Sequence, residues 1–567
     1  MSIEESDIYG WQRAEVLANR RLMFVLWAVK TLFCTSTADF LHHYKITEPE
    51  LHVALNRLTV QGFLQRDGEN YVLTQLGEET ASYLGTLSES QFAHPERISA
   101  EVDTRFEDTA PLALARAALD TDATPLATLP MALPVFDATI AQRFWAQRPQ
   151  DKDTPEATLV ELPFIQQAVG LGWHYLAGDI SVPEVTHRKT FREVLLEQHL
   201  RETLPEINRD EQTGALWLDE SRIELAITDL RRFFTSYPGG LLETNKQATN
   251  LLLGGTIVPG TQALHQGTLQ RIRYIDFTHP ERNHFLLINQ FRVDRASSRY
   301  VVPDIVLFVN GIPLVVVECK SPNLTNPVEE GITQLLRYSG QQSATQEDSE
   351  AVPELFYFNQ VLISTCFFRA CSAVLGASYE SFQEWRDPYP ATRDELVAEV
   401  QSEQPSSQHT LVRGMLAPSN LLDLLYNFTL FVSRDNKSVK LIARYHQFRA
   451  VCKAVNRLLE KQTRQQHGED DQRGGIIWHT QGSGKSFTMV FLVRKMRVTP
   501  RLIDFKVVFV TDRSDLQKQL RATLHNTEEP IETANKIADL ETKLQPEGHK
   551  LVFAMIQKYQ ARGNRNY

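Results

Sequence analysis

The stretch from Val301 to Lys320, VVPDIVLFVNGIPLVVVECK, leaves a folding chain few options. Two apolar runs flank Asn310-Gly311, so the segment reads as a β-hairpin. Val-Val-Val-Glu-Cys-Lys is almost wholly apolar, so both faces of its strand must be covered and the hairpin lies inside a layered sheet. Asp304 sits on the first run, and Glu318 and Lys320 end the second. Two like-charged carboxylates near so apolar a strand are costly unless a cation pairs them. Two carboxylates and a lysine at adjoining strand ends can hold Mg²⁺ and activate water against a phosphodiester.

Register decides whether the three residues meet. A two-residue Asn310-Gly311 loop with unbroken pairing sets Asp304 opposite Val317 and turns Glu318 to the other face. A three-residue loop, Val309-Asn310-Gly311, with Gly311 left-handed as a bulge, pairs Phe308 with Ile312. Asp304 then lies opposite Val316 and Glu318 opposite Val302, with the carboxylates as diagonal neighbours at roughly 7–8 Å. The second register is the expectation, because it brings Asp304, Glu318 and Lys320 to one face.

A second motif lies downstream. Ile476-Ile477-Trp478 reads as a short buried strand, and Gly482 to Ser486 ends in Gly-Lys-Ser ahead of a helix over Phe487 to Met496. That is the form of a phosphate-cradling loop. Backbone N–H groups would hold the β-phosphate, Lys485 would neutralise the β/γ oxygens and Ser486 would ligate Mg²⁺. A strict G-x-x-x-x-G-K-[ST] pattern has glycine where this chain has His479. Val507 to Thr511 and Leu551 to Ile556 read as the next parallel strands. No G-x-G-x-x-G opens a helix, so a dinucleotide site is not supported.

Net charge is −11, from 59 basic and 70 acidic residues, so any DNA-binding surface must concentrate positive charge locally. Arg444, Arg449, Lys453, Arg457, Lys461 and Arg464 recur at helical spacing, which suits a DNA track and a solvated helix face equally. The five cysteines, Cys34, Cys319, Cys366, Cys371 and Cys452, lack the CxxC spacing of a zinc site. The first residues, Met-Ser-Ile-Glu-Glu-Ser-Asp, are acidic and carry no signal peptide. Leu22 to Cys34 contains Lys30, is too short to span a bilayer and reads as a core helix. A cytoplasmic location with no membrane partner is expected.

Residues 1–86 read as a unit of their own. Thr47-Glu48-Pro49-Glu50 is a capping box, and Leu51, Ala54, Leu55 and Leu58 keep helical spacing after it. Phe63 to Arg66, an Asp67-Gly68 turn and Glu69 to Leu73 read as a hairpin. With a helix over Thr37 to Tyr44, this makes a winged-helix-like unit whose second helix turns His52, Asn56 and Arg57 outward. One arginine is a thin footprint for DNA, so docking a partner fits at least as well. Residues 87–154, rich in Ala, Thr, Pro, Asp and Glu, read as a linker with short helices. A helix around Val160 to Gly170 follows, then Gly172-Trp173-His174-Tyr175 as turn and strand. Asp276 to Phe291 reads as strand, loop and strand.

Pro303-Asp304 followed by Glu318-Cys319-Lys320 resembles the PD-(D/E)xK nuclease core. Gln334-Leu335-Leu336-Arg337-Tyr338 is similar to the QxxxY motif that follows this core in the restriction (R) subunits of type I restriction–modification enzymes; Gln334 and Tyr338, i and i+4, share a helix face. The likeness extends through Asn310-Gly311-Ile312-Pro313, Ala443-Arg444-Tyr445-His446-Gln447 and Trp478 to Ser486, covering the chain from about residue 155 onward. It implies an α/β multidomain chain. Residues 155–415 would be a PD-(D/E)xK endonuclease domain, a mixed sheet flanked by helices. Residues 416–567 would be the first part of a RecA-like superfamily 2 helicase lobe.

The resemblance also implies roles. Asp304 and Glu318 would bind Mg²⁺ beside Lys320, with Glu161 as the added helical glutamate and Glu156 as second candidate. Gln334 and Tyr338 would support the centre or contact the DNA backbone. Gln447 would recognise adenine, while Thr480, Gly482, Ser483, Gly484, Lys485 and Ser486 bind ATP. The implied activity is Mg²⁺-dependent cleavage of double-stranded DNA coupled to ATP-driven translocation, with separate specificity and methylation subunits as partners. A stand-alone phage-defence helicase–nuclease and a non-catalytic DNA-binding or regulatory remnant are the other readings. No Asp-Glu pair after Ser486 ends an apolar strand, so the motor is expected to be incomplete within these residues and ATP turnover by them alone is not expected.

Overall fold

The computed structural model describes residues 51, 55, 58–59, 63–67, 70–74, 138–148, 151, 154–235, 239–295, 300–341, 351–434, 437–463, 466, 468, 471–511, 531–534, 537–545 and 548–555. In the N-terminal unit Leu51, Leu55 and Leu58 are helical and buried at the predicted spacing. Strands β1 (Leu64–Asp67) and β2 (Asn70–Leu73) pair antiparallel, with Asp67 opposite Asn70. Asp67 therefore belongs to the strand and not to the expected Asp67-Gly68 turn; this register sets buried Leu64 and Tyr71 on one face. The capping box at Thr47, the helix at Thr37 to Tyr44, the run from Leu22 to Cys34, and His52, Asn56 and Arg57 lie outside the described residues.

Seven strands then form one mixed sheet: β3 (His174–Leu176), β4 (Phe285–Asn289), β5 (Ile305–Val309), β6 (Ile312–Cys319), β7 (Val361–Thr365), β8 (Ala370–Ala373) and β9 (Gln383–Glu384). They lie side by side in chain order from β9 to β3. β3 with β4, and β6 with β7, pair parallel; the other neighbours pair antiparallel. β5 and β6 are buried at every residue, which is what two uninterrupted apolar runs require. Of the stretch from Asp276 to Phe291 only the second half is strand. Asp276 starts a turn instead, its Oδ1 accepting from the backbone N–H of Thr278 (3.0 Å) and His279 (2.9 Å).

Helices cover both faces of the sheet. They are α1 (Ala138–Gln147), a π turn (Ala157–Glu161) running into α2 (Leu162–Gly170), α3 (Glu197–Ile207), α4 (Glu220–Thr235), α5 (Leu241–Gly254), the crossover α6 (Pro327–Tyr338) between β6 and β7, α7 (Arg393–Val400), α8 (Ser407–Met415) and α9 (Pro418–Asn427). Phe164, Ile165, Leu411 and Val412 cluster with Ile305, Leu307, Val315 and Val317 on one face. Val328, Ile332 and Leu335 cluster with Val306, Phe308, Val316 and Leu362 on the other. Ile140 and Phe144 of α1 join the first cluster, so this part of the stretch read as a linker packs into the same layer as the sheet.

The hairpin differs from expectation in one respect that matters. Val309 pairs with Ile312 across a two-residue Asn310-Gly311 turn, with φ of 53° and 85°. Asparagine tolerates the left-handed region, so the tight turn wins over the three-residue loop. Asn310 is further held by accepting from His284 N (2.7 Å) and donating to Tyr274 O (2.9 Å). The register then slips: Pro313 faces Phe308 while Val315 faces Leu307, leaving Leu314 as an extra residue in β6. Proline has no N–H for the ladder and favours such a site. Beyond the bulge Val317 pairs with Ile305, the last pair of this ladder, and continuing the same register by one step sets Asp304 opposite Glu318. In that register the carboxylates share a face as direct rather than diagonal neighbours, and Lys320 Nζ lies within 4.0 Å of both.

Downstream, β10 (Thr429–Arg434) and β11 (Lys437–Ile442) form a hairpin leading into α10 (Tyr445–Glu460). After α11 (Lys485–Val498), strands β12 (Val507–Thr511), β13 (Ile531–Ala534) and β14 (Leu551–Met555) pair parallel in the order β12-β14-β13. The expected buried strand at Ile476-Ile477-Trp478 is not one. Ile476 is 93% and Trp478 83% exposed, and among the described residues no strand pairs with them. An apolar run is buried as a strand only where neighbouring strands cover it. No helix among the described residues is long and apolar enough to cross a membrane.

Gly311 generates a test. A Cβ there would meet Leu196 O at 2.5 Å, on a backbone at φ +85°. Gly311→Ala should lower the unfolding free energy of the 567-residue chain by about 2 kcal/mol or more. Urea titration would show it, and an unchanged midpoint would count against the turn described here.

Candidate active site and nucleotide-binding loop

At the ends of β5 and β6 the charged residues converge. Asp304 Oδ2 accepts from Cys319 N (2.7 Å), and Gln290 Nε2 donates to Asp304 Oδ1 (3.2 Å). Lys320 Nζ lies 3.3 Å from Glu318 Oε2 and 4.0 Å from Asp304 Oδ2, and donates to Cys319 O (3.1 Å). Glu318 is fully buried and its Oε1 has no hydrogen-bond partner. Burial, then the neighbouring Asp304, push its carboxyl well above the ordinary range. Burial opposes charge on Lys320, yet Glu318, Asp304 and Glu156 together hold its pKa above the usual lysine value.

Two further carboxylates come from the π turn. A π turn adds a residue to each turn and recurs at functional sites. Here Glu156, the residue before it, and Glu161, its last residue, both reach the strand ends. Glu156 Oε2 accepts from Ser321 N (3.0 Å), and burial and Asp304 raise its carboxyl. Glu161 is fully buried; burial first and Asp304 second raise it to about 7. Both its oxygens are engaged. Arg148, just past α1, pairs with Oε2 while also bonding Asp151, and Asn289 Nδ2 donates to Oε1 (3.1 Å).

The residues fit a divalent cation. Four carboxyl groups, Glu156, Glu161, Asp304 and Glu318, meet only two cations, Lys320 and Arg148, the latter shared with Asp151, and an orphaned buried oxygen of Glu318 lies beside Asp304. Among the described residues no three His, Cys, Asp or Glu side chains are arranged to hold a metal by themselves. A Mg²⁺ ion is commonly held by one or two carboxylates, its other positions being left to water and phosphate oxygens. On α6, Gln334 Nε2 donates to Tyr338 Oη (2.6 Å), so the predicted i, i+4 pair does share a face.

The Gly-Lys-Ser loop is built as a tight turn at the start of α11, with Gly482 and Gly484 both at φ +81°. Lys485 Nζ donates to the carbonyls of His479 and Thr480 (both 2.8 Å), and Ser483 Oγ donates to Thr480 O (2.7 Å). Gln447 sits against the loop: its Nε2 donates to Gly484 O (3.0 Å) and its Oε1 accepts from Arg444 N (2.9 Å). A Cβ on Gly484 would meet Gln447 Nε2 at 2.7 Å. Ser486 is the second residue of α11. The residues expected to bind nucleotide are thus together, and the glutamine expected to read adenine braces the loop. Of the basic series on α10, Arg449 pairs with Asp387 and Arg457 Nε donates to Gly474 O (2.7 Å).

Residues 153–368 match the family described as Type I restriction enzyme R protein N terminus, and residues 446–567 match the SWI2/SNF2 ATPase family. The HindI endonuclease subunit of the type I restriction enzyme from Haemophilus influenzae is 31% identical over 411 residues, 70% of this chain and 36% of that protein. The chain belongs to the type I restriction enzyme R-protein family. The putative MjaIXP endonuclease subunit from Methanocaldococcus jannaschii is 27% identical over 418 residues, 71% of this chain and 37% of its own length. The chain thus spans little more than a third of the length of these two relatives.

Sequence reasoning missed two residues at the acidic centre. Arg148 precedes the family match and meets Glu161 only through the tertiary fold. Asn289 did carry a signal: it is a buried amide ending the otherwise apolar strand Phe-Leu-Leu-Ile-Asn, and such a group needs partners.

Glu161 sets a direction for the pH dependence of stability. Its carboxyl rises from about 4.5 to about 7 on folding. Between those values the folded chain keeps a proton that the unfolded chain has released, so stability falls as pH rises through that window. In EDTA, Glu161→Gln should flatten this fall. Denaturant midpoints at pH 5, 6 and 7 measure it, and an unchanged slope would contradict the burial of Glu161.

Proposed function

We propose that this chain is the nuclease-bearing and motor-entry part of an ATP-dependent type I restriction endonuclease. Residues 155–415 act as a PD-(D/E)xK endonuclease domain, and residues 416–567 form the first part of a helicase lobe. Residues 1–86 act as a winged-helix-like docking unit, joined through 87–154. The observation that carries the reading is the convergence of buried Glu161, Asp304 and Glu318 with the partly buried Lys320 at one end of the sheet.

Asp304 and Glu318 would hold Mg²⁺, which acts when bound as a Lewis acid and lowers the pKa of water. Lys320, kept charged by three carboxylates, would orient the attacking water and meet negative charge developing on the scissile phosphate. Glu161 and Glu156 would accept hydrogen bonds from water in the centre. Gln334 and Tyr338 would contact the DNA backbone from α6. Lys485 would leave the loop carbonyls for the β/γ-phosphates of ATP, with Thr480, Gly482, Ser483 and Gly484 lining the cradle and Ser486 on its Mg²⁺. Gln447 would hold the loop and meet the adenine. The whole enzyme would translocate and cut double-stranded DNA in the cytoplasm, in complex with methylation and specificity subunits.

Asp304→Ala and Lys320→Ala should each reduce Mg²⁺-dependent cleavage by the assembled enzyme at least about a hundredfold, with nucleotide binding unchanged. Undiminished cutting by either variant would remove the assignment. In the 567-residue chain, Lys485→Ala should weaken binding of a fluorescent ATP analogue by about tenfold or more, since a charge-assisted contact to phosphate is lost. Equal affinity would rule out the Gly-Lys-Ser loop as the phosphate site.

A further inference from the structure

Lys440, on β11, is 3% exposed and has no carboxylate among its hydrogen-bond partners. Its ammonium donates to Asn245 Oδ1 (2.8 Å), Asn359 O (3.0 Å) and Gln360 Oε1 (2.7 Å). Burial alone pushes its pKa well down. A methionine or leucine would fill the same space at lower cost, so the fold gains something from the three directed bonds.

The partners show what that is. Asn359 and Gln360 immediately precede β7, and both reach the extra residue of β6: Gln360 N donates to Leu314 O (2.6 Å) and Asn359 Nδ2 to the same oxygen (3.3 Å). Asn245 of α5 closes the set, donating to the carbonyls of Phe356 (3.1 Å), Tyr357 (3.0 Å) and Asn359 (2.7 Å). Gln360 Nε2 is held by Thr249 Oγ1 (3.0 Å) and Phe358 O (2.8 Å). Bulges are local departures whose carbonyl and amide need partners outside the ladder. Here those partners are the two residues that Lys440 clamps.

We propose that Lys440 is a positioning residue of the candidate nuclease centre, pinning Asn359 and Gln360 so that Leu314 stays in the bulge that sets Asp304 opposite Glu318. The pin arrives from the nucleotide side of the chain. β11 runs through Ala443 into α10, whose Gln447 holds the Gly-Lys-Ser loop. The seating of one hairpin therefore governs the register of the other. The inference rests on the nuclease reading above.

The test is Mn²⁺ binding to the nucleotide-free, full 567-residue chain, followed by calorimetry, with Asp304→Ala as the blank, beside hydrogen exchange of the amides of residues 312–317. Lys440→Met should weaken Mn²⁺ binding by about tenfold or more, as loss of an outer support of a metal site does, and should speed exchange at Val315 to Val317. If Lys440→Met fails to fold, Lys440→Gln, which keeps one donor, is read by the same two measurements. Leu430→Ala, which opens the core beneath the same hairpin without touching the pin, should lower stability but leave Mn²⁺ affinity within about twofold. Wild-type affinity and exchange in the folded Lys440 variant would overturn the proposal while leaving the nuclease reading standing. Mn²⁺ binding that Asp304→Ala does not alter would overturn both.

Discussion

Side chains on a β-strand alternate, so one residue inserted or removed sends every following side chain to the opposite face. In this protein the chemistry at the strand ends depends on that parity. An unbroken ladder from the Asn310-Gly311 turn would face Asp304 and Glu318 apart. Leu314 restores them by taking up one position without a partner. The price of the bulge is a carbonyl removed from the ladder, and Asn359 and Gln360 supply its donors.

Electrostatics follow from the register. Once Asp304 and Glu318 are neighbours under a buried sheet end, burial and Asp304 together raise the cost of charging Glu318, and they do the same to Glu161 and Glu156. Lys320 answers the two strand carboxylates and Arg148 answers Glu161. Carboxyl groups still outnumber the cations, since Arg148 is shared with Asp151. Such a centre is costly to keep charged without a further cation.

Much of this was legible in the residues. Asn310-Gly311 marked where the chain turns, though not that the turn would be two residues rather than three, and the apolar runs on either side announced a buried strand pair. The bulge was not read, because Ile-Pro-Leu-Val-Val-Val is apolar at every position and carries no alternation from which register can be taken. Pro313 was the available sign, since proline inside a central strand belongs at a bulge. Glu161 was a candidate through the family resemblance, but Arg148 was not, because a lone arginine after a short amphipathic helix looks like any solvated one. At Ile476 to Trp478 composition pointed to a buried strand where the described ladders offer no neighbour. Composition states what a segment could bury; it does not state what arrives to cover it.

The parallel pairing of β3 with β4 has a consequence in time. His174 meets Leu286 only after three long helices and a small hairpin have been threaded between them. Closing so wide a loop is slow, because its entropy is lost before its contacts form. Asn289, on β4, ties to Gly178 just past β3 and to Glu161, so the acidic centre takes shape only when that closure is complete. A chain still emerging or partly folded carries the separate carboxylates but not their cluster. The proposed hydrolytic capacity would therefore be delayed until the molecule that must restrain it has been built.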